Sequence, residues 1–423
     1  MSKREIHEFT TLEHMADKAM WAGDLGIHDI EVYTLNKEKD IFEQETLAYT
    51  PVLYKAIDEI IVNATDHYTH YPKLVNKIEI NVLDTGEISV YNNGPGITVD
   101  KMKTKSGEMI YIPQLIASKP FTGSNLIDDG NNIKGGTNGV GLKLTGCHSD
   151  ILTLETVDSE NKKKYVQSFK NSLTIIDPPK ITVCNNSSYT KVSFLPQYDK
   201  FKLNIENFLP ILKKLVYRRS YDAAVYTGAK VYFNKTLISI SFKDYCQMFT
   251  TNQVIEMKMI NNVNDYDWDI CLAISSGKDQ NYSIINGVCT TSGGTHIKHI
   301  QNQLVNYLSP FIIKEIKKAG VDVKFNRNYV INNIHIFMKG IIPSPVFVGQ
   351  VKEEIADKIQ KFEKYYFKGD CIKIWDLLKD TILELFLKIK PEIFSFLSSF
   401  IYYILCYNSF LKILIGEISY SFL

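Results

Sequence analysis

The seven residues from Gly135 to Gly141 hold four glycines, and Leu142 and Lys143 follow. Such a stretch has too few side chains to pack a core. It lets backbone N–H groups approach a guest closely, and Lys143 supplies a cation, a combination that suits a polyphosphate. Gly136, Thr137, Asn138, Gly139, Val140, Gly141, Leu142 and Lys143 are therefore candidate cradle residues. The spacing is not G-x-x-x-x-G-K-[ST], because Leu142 separates Gly141 from Lys143 and no hydroxyl follows, nor is it G-x-G-x-x-G. Taken alone, the segment also reads as a surface loop. Upstream, Glu59 and Asn63 lie one helical turn apart in Asp58-Glu-Ile-Ile-Val-Asn-Ala-Thr-Asp66. A carboxylate there can orient or deprotonate a water, and a carboxamide oxygen can ligate Mg²⁺. An isolated E-x-x-x-N is otherwise an ordinary solvated helix face. Asn92, followed by Gly94 and Gly96, could accept a hydrogen bond from an adenine amino group where glycines let backbone come close; the same residues also read as a hairpin turn.

These groups need elements to hold them. Leu53, Ile57, Ile60, Ile61 and Ala64 recur at a helical period, so Glu59, Asn63 and Asp66 share the face opposite Ile57, Ile61 and Ala64. Val82, Ile88 and Val90 predict strands around the Asp84-Thr-Gly86 turn, with Asn92 at a strand end. Further strands are expected at 151–157 and 164–169, joined by a lysine-rich turn that reads as a solvated hairpin tip, and at 189–194 and 229–233, with an amphipathic helix at 205–221. Beyond these, strands are expected at 268–273, 282–286 and 330–337, and two helices at 295–308 and 309–318.

In this order the three segments resemble the GHKL ATPase superfamily, which carries E-x-x-x-N on a helix, D-x-G-x-G after a strand and a glycine-rich lid. Asn92 stands where most members have Asp, but eukaryotic-type type II DNA topoisomerases also read Asn-Asn-Gly-x-Gly-Ile. The Ser283–His296 segment resembles the transducer signature of those enzymes, Arg218-Arg-Ser-Tyr-Asp222 their R-R-x-Y-D, and Pro345 to Lys352 their P-x-F-x-x-Q-T-K run, with Val351 in place of Thr. Met20-Trp-Ala-Gly23 and Asn63-Ala-Thr-Asp-His67 resemble forms found in large cytoplasmic DNA viruses. The resemblance covers roughly residues 10 to 355 and implies an α/β fold: a GHKL ATPase domain at 1–245 with a mostly antiparallel sheet, then a ribosomal-S5-like transducer domain at 246–390. It implies ATP and Mg²⁺ as ligands, Glu59 and Lys352 as catalytic residues, Asn63 as the metal ligand, Gln350 beside Lys352, and Gly123, Ser124 and Asn125 as ribose and phosphate contacts. Asp66 is expected to order waters or the adenine end, and His67 replaces the Asn of many relatives. DNA, a homodimer through the ATPase domain and a second chain bearing the cleavage core are the implied partners, in a nucleus or a cytoplasmic viral factory.

Composition neither adds to nor opposes this. The net charge of +1 gives no basic signal, so the DNA expectation rests on resemblance alone. Seven cysteines without C-x-x-C read as reduced thiols, and no metal-ligand cluster or signal peptide is apparent. The run from Ile393 to Leu411 lacks charge over nineteen residues, but Tyr407-Asn-Ser makes a poor membrane core. Residues 391–423 thus read as a packing helix, an anchor or an unrelated extension, with no membrane association expected of the rest. No E-G-D-S-A motif of a TOPRIM domain and no cleavage-tyrosine context is present, so DNA breakage is not expected of this chain. The readings left beside an ATP-driven topoisomerase gate are a nucleotide-gated structural clamp or an inactive truncated product. Chaperone, mismatch-repair and histidine-kinase relatives fit the Ser283–His296 and Gln350–Lys352 segments poorly.

Overall fold

Alternation in Lys77–Val82 buries Ile78, Ile80 and Val82 on one side, as a half-buried strand requires. In the computed structural model, which describes residues 7–123, 132–136, 138–261, 266–275, 277–318, 324–369 and 371–389, this strand belongs to a nine-stranded sheet. The order across it is Lys180–Val183, Lys163–Lys170, Ser149–Asp158, Tyr189–Pro196, Ile88–Asn93, Lys77–Val82, Lys230–Phe233 and Thr236–Ile238, with Ile175–Ile176 paired to Lys163–Lys170. Every pairing is antiparallel except that of Lys230–Phe233 with Lys77–Val82.

The helix Pro51–His70 packs on this sheet. Pro51 at its start needs no donated N–H, and Val52, Leu53, Ile57, Ile60, Ile61 and Ala64 enter the core. A second short helix, Gly141–Cys147, lies against it, and the Thr145 hydroxyl donates to the Ala56 carbonyl at 2.8 Å. The helix Ile205–Tyr226 is one and a half turns longer than its amphipathic pattern predicts, because small residues Ala223 and Ala224 extend its inner face.

Two compact units divide the chain. The first comprises residues 1–272, 281–299 and 336–368. Besides the large sheet, most of a second one lies there, ordered Val288–Cys289, Gln280–Ile285, Ile334–Gly340, Trp268–Ile274, Ile255–Asn261 and Tyr365–Phe367. Trp268 stacks on Tyr365 with ring centroids 3.9 Å apart.

The second unit comprises 273–280, 300–335 and 369–423. In it Phe311 stacks on Trp375 of the helix Ile372–Ile389. Two expectations change here. The helices expected at 295–308 and 309–318 are one helix, Thr295–Lys318, running through Pro310. Proline removes the N–H that would serve the Asn306 carbonyl, and the Ser309 hydroxyl donates to that carbonyl at 3.4 Å instead. The strand expected at 330–337 begins only at Ile334, because Asn328–Ile331 forms a helical turn. Asn326 accepts the Asn328 N–H and Asn333 donates to the Tyr329 carbonyl, closing both ends of that turn. Residues 391–423, and with them every reading of the tail, lie outside the described residues; among the described ones no helix is long and apolar enough to cross a membrane.

Candidate active site

A cavity of about 650 Å³ opens between the Pro51–His70 helix, the end of the Ile88–Asn93 strand and the start of the Gly141–Cys147 helix. Glu59, Asn63, Asn92, Gly96, Gly123, Gly136, Asn138, Gly139, Val140, Gly141, Leu142, Lys143, Gln350 and Lys352 all line it, and all belong to the first unit. Helical spacing brings Glu59 and Asn63 to the same wall; Glu59 is buried, whereas Asn63 is exposed. Ser124, Asn125 and Thr137 lie outside the described residues.

The glycines divide by function. A Cβ on Gly141 would meet Glu59 Oε2 at 2.1 Å, so this glycine is what lets the helix N-terminus approach the carboxylate. Gly139 sits at φ +61°, a conformation suited to glycine. Gly94 and Gly96 serve the fold first: a Cβ on Gly96 would lie 1.9 Å from the Val157 carbonyl oxygen, and one on Gly94 2.6 Å from Val75 Cγ2. Asn92 is buried, donates to the Asn93 carbonyl at 3.0 Å, and is paired across the sheet with Thr190, which also lines the cavity.

Asp66 departs from expectation. Its two carboxylate oxygens accept the N–H groups of Gly135 and Gly136 at 2.7 and 2.8 Å. It therefore fastens the glycine loop to the helix, and these N–H groups are engaged by protein rather than held open for a guest. Burial pushes its pKa up to about 6 against the lowering effect of those two donors. His67 on the next position lines the cavity, and burial, with His70 and Lys134, lowers its pKa to about 4, so the ring is neutral.

Lys143 is on the helix, buried, with Nζ donating to the Thr122 carbonyl at 2.8 Å. Burial lowers its pKa to about 7. Lys352 is also buried, contrary to the solvated lysine that its sequence position alone would give. Its Nζ is 3.9 Å from Glu59 Oε1, and its φ is +66°. The Asn138 amide donates to Gln350 Oε1 at 2.7 Å.

What holds Lys352 there is the Ser283–His296 segment. Ile355 donates to the Gly293 carbonyl and accepts from Thr295, and Ser292 donates to the Glu353 carbonyl. Gly294, at φ +133°, touches the Ile355 backbone so closely that a Cβ would lie 2.4 Å from its oxygen. Gly293, Gly294 and Thr295, with Ser292, thus sew the Lys352 hairpin in place. His296, buried, bonds Ser283 Oγ through Nε2 at 2.9 Å and is structural.

Sequence reasoning missed a buried charge network behind Glu59. Lys55 Nζ is 2.8 Å from Asp58 Oδ2 and 3.1 Å from Glu59 Oε1. Arg219 Nε donates to Asp58 Oδ1, and its Nη2 donates to the Gly287 carbonyl, each at 2.8 Å. Burial pushes the Asp58 carboxyl up, but Lys55 and Arg219 outweigh it and hold it well below the usual range. Arg218, next in sequence, pairs with Asp222 and is ringed by Phe42, Tyr245, Phe249 and Tyr282. The i, i+3 and i, i+4 spacing of Lys55 to Asp58 and Glu59 is the signal that could have found the first link.

Comparisons with known proteins show the family of the chain. The family described as histidine kinase-, DNA gyrase B- and HSP90-like ATPase matches residues 49–197, and the family described as DNA gyrase B matches 241–362. DNA topoisomerase 2 of Penicillium chrysogenum is 33% identical over 370 residues, 85% of this chain and 23% of that protein. DNA topoisomerase 2 of Acanthamoeba polyphaga mimivirus is 34% identical over 331 residues, 77% of this chain and 25% of that protein. The chain thus spans about a quarter of the length of the curated relatives it matches. Among solved structures, the ATPase region of Saccharomyces cerevisiae topoisomerase II bound to ICRF-187 (dexrazoxane) superposes with TM-score 0.79 at 28% identity, covering 91% of this chain and 98% of that one. The ATPase and transducer domains of DNA topoisomerase II from Balamuthia mandrillaris give 0.80 at 26%, covering 92% and 98%.

Proposed function

The chain is a homologue of the N-terminal ATPase-and-transducer region of type II DNA topoisomerases, and from that premise we propose that it binds and hydrolyses ATP as the gate of such an enzyme. The observation that carries the proposal is the meeting in one cavity of Glu59, from the Pro51–His70 helix, and Lys352, from a hairpin that lies in sequence between the strands Ile334–Gly340 and Tyr365–Phe367 of the second sheet. Residues 1–245 act as the ATPase domain and 246–390 as the transducer.

The cavity suits a nucleotide triphosphate. It offers a buried amide, Asn92, for the base, a glycine-rich wall for the phosphates, and an exposed carboxamide, Asn63, beside a carboxylate. Gly123 lines the same wall, and Ser124, Asn125 and Thr137 stay in the proposal through the resemblance alone. Asn63 is the residue that would ligate Mg²⁺, which when bound neutralises phosphate charge. Glu59 accepts a proton from water as its oxygen forms a bond to the γ-phosphorus. The bond to the β-bridging oxygen breaks, and ADP leaves with the electron pair. Lys352, with Gln350, offsets the charge on the γ-oxygens.

The group that Lys352 recognises is present in ATP and absent from ADP. Its engagement is proposed to drive homodimerisation that traps a DNA segment, with strand cleavage assigned to a separate cleavage core. A second chain bearing that core, and a nuclear or viral-factory location, complete the reading.

The test is ATP turnover by the purified chain and by Glu59→Gln, with nucleotide affinity measured in parallel. The variant should lose turnover by about 10²–10⁴-fold while retaining affinity. Turnover unchanged in the variant would remove Glu59 from its role. No turnover in the wild-type chain would favour a nucleotide-gated clamp.

A further inference from the structure

The lysine-rich turn that reads in sequence as a solvated hairpin tip does not stand alone. Lys101–Lys103 and Met109–Tyr111 pair as a two-stranded sheet of their own. Every residue of the first strand is exposed, and only Ile110 of the second is buried. The fold lays the base of this ribbon against the Asp158–Lys163 turn. Val99 N–H donates to Asp158 Oδ2 at 2.8 Å, and Lys163 Nζ donates to the Val99 carbonyl at 3.0 Å. The acids of the two loops are mostly engaged. Asp100 pairs with Lys163 at 3.2 Å, Glu108 stands 3.9 Å from Lys119, and Asp158 is held by Val99 and Asn161. Lys101, Lys103, Lys105 and Lys162 are exposed and form no ion pair among the described residues, which leaves Glu160 alone against four lysines. A chain of net charge +1 thus gathers an unbalanced cationic surface here.

We propose that the ribbon 101–111, with Lys162 of the adjoining turn, is a docking surface for the phosphate backbone of duplex DNA. A two-stranded ribbon is a shape that the major groove admits, and lysine ammoniums neutralise phosphates without reading sequence. The proposal rests on DNA as a partner, as read above, and adds the surface that meets it. None of residues 101–111 or Lys162 lines the nucleotide cavity, so this contact is separate from the ATP chemistry.

The test is the affinity of the full chain for a labelled duplex of mixed sequence, read by fluorescence anisotropy across roughly 50–200 mM salt. Three proteins are compared: the native chain, the ribbon variant Lys101→Gln/Lys103→Gln/Lys105→Gln/Lys162→Gln, and a control, Lys37→Gln/Lys73→Gln/Lys235→Gln/Lys243→Gln, which removes equal charge from exposed sites elsewhere. Log affinity of the native chain should fall linearly with log salt. In the ribbon variant the slope should shrink by about 3, since each lost phosphate contact removes roughly 0.9, and affinity at the low-salt end should drop at least about tenfold. The control should keep the native slope, and a second, unrelated duplex should give the same result. A slope change below about 1 in the ribbon variant, or an equal change in the control, would overturn the surface while leaving DNA as a partner. No binding of either duplex by the native chain would remove the partner itself. If the ribbon variant loses binding to vesicles of anionic phospholipid and keeps the native DNA slope, the surface belongs to a membrane and the proposal falls.

Discussion

At Gly141 the contact that a side chain would make is with the far end of a flexible one, Glu59 Oε2 at 2.1 Å. The Gly141→Ala protein should therefore fold but force Glu59 out of line. Turnover is expected to drop by about 10²-fold and the thermal midpoint to fall with it, since the displaced carboxylate is buried and paired with Lys55, an outcome that kinetics and a melting curve check together. Unaltered kcat would mean that Glu59 turns away without consequence. The helical spacing of Glu59 and Asn63 made this wall legible in the sequence, because a period places side chains without knowledge of the rest of the fold. The partners of Lys143, Asp66 and Lys55 were not legible. A lysine near acids reads the same whether its neighbours are water or Asp58, and the carboxylate expected to order water instead holds Gly135 and Gly136.

Among elements, strands with alternation or a continuous apolar run were found nearly to the residue: Lys163–Lys170 and Tyr189–Pro196 alternate, Trp268–Ile274 is buried on both faces, and all three differ from expectation by one or two residues at their ends. Errors arose where local hydrogen bonds outweighed pattern. Pro310 suggested a break, but one hydroxyl satisfies the carbonyl it abandons. Val330 and Ile331 have strand-forming side chains, yet asparagines at 326 and 333 close a helical turn around them. The Ser283–His296 segment, with Gly293 and Gly294, was legible as a motif. Its purpose was not, since the hairpin it grips lies about sixty residues further on and only the fold unites them.

For the molecule as a whole, four histidines, three buried and one, His67, partly buried, set a limit in acid. Burial, joined by nearby cations at His67 and His148, lowers the pKa of His148 and His296 to about 3 and of His67 and His335 to about 4. In the unfolded chain each protonates near pH 6.5. The unfolded state thus binds more protons below that value, so stability is complete above pH 6.5 and declines as pH falls toward 4 and 3. Each histidine contributes up to about 1.4 kcal/mol per pH unit. Urea midpoints at pH 7 and pH 5 should differ clearly, and His148→Phe should narrow the gap, as neither ring nitrogen of His148 has a hydrogen-bond partner among the described residues. Equal midpoints at both values would contradict the burial.

Lys143 carries a different consequence. With burial lowering its pKa to about 7 and, among the described residues, the Thr122 carbonyl as its partner, its side chain is partly neutral near pH 7 before any anion arrives. Phosphate beside it would restore the ammonium, making nucleotide capture a reaction that takes up a fraction of a proton at that pH. Binding heats measured in two buffers of different ionisation enthalpy should then disagree, and in Lys143→Arg they should coincide. Affinity of the native chain for nucleotide should weaken as pH rises above 7, so the acidity of the surroundings would tune how readily the cavity fills.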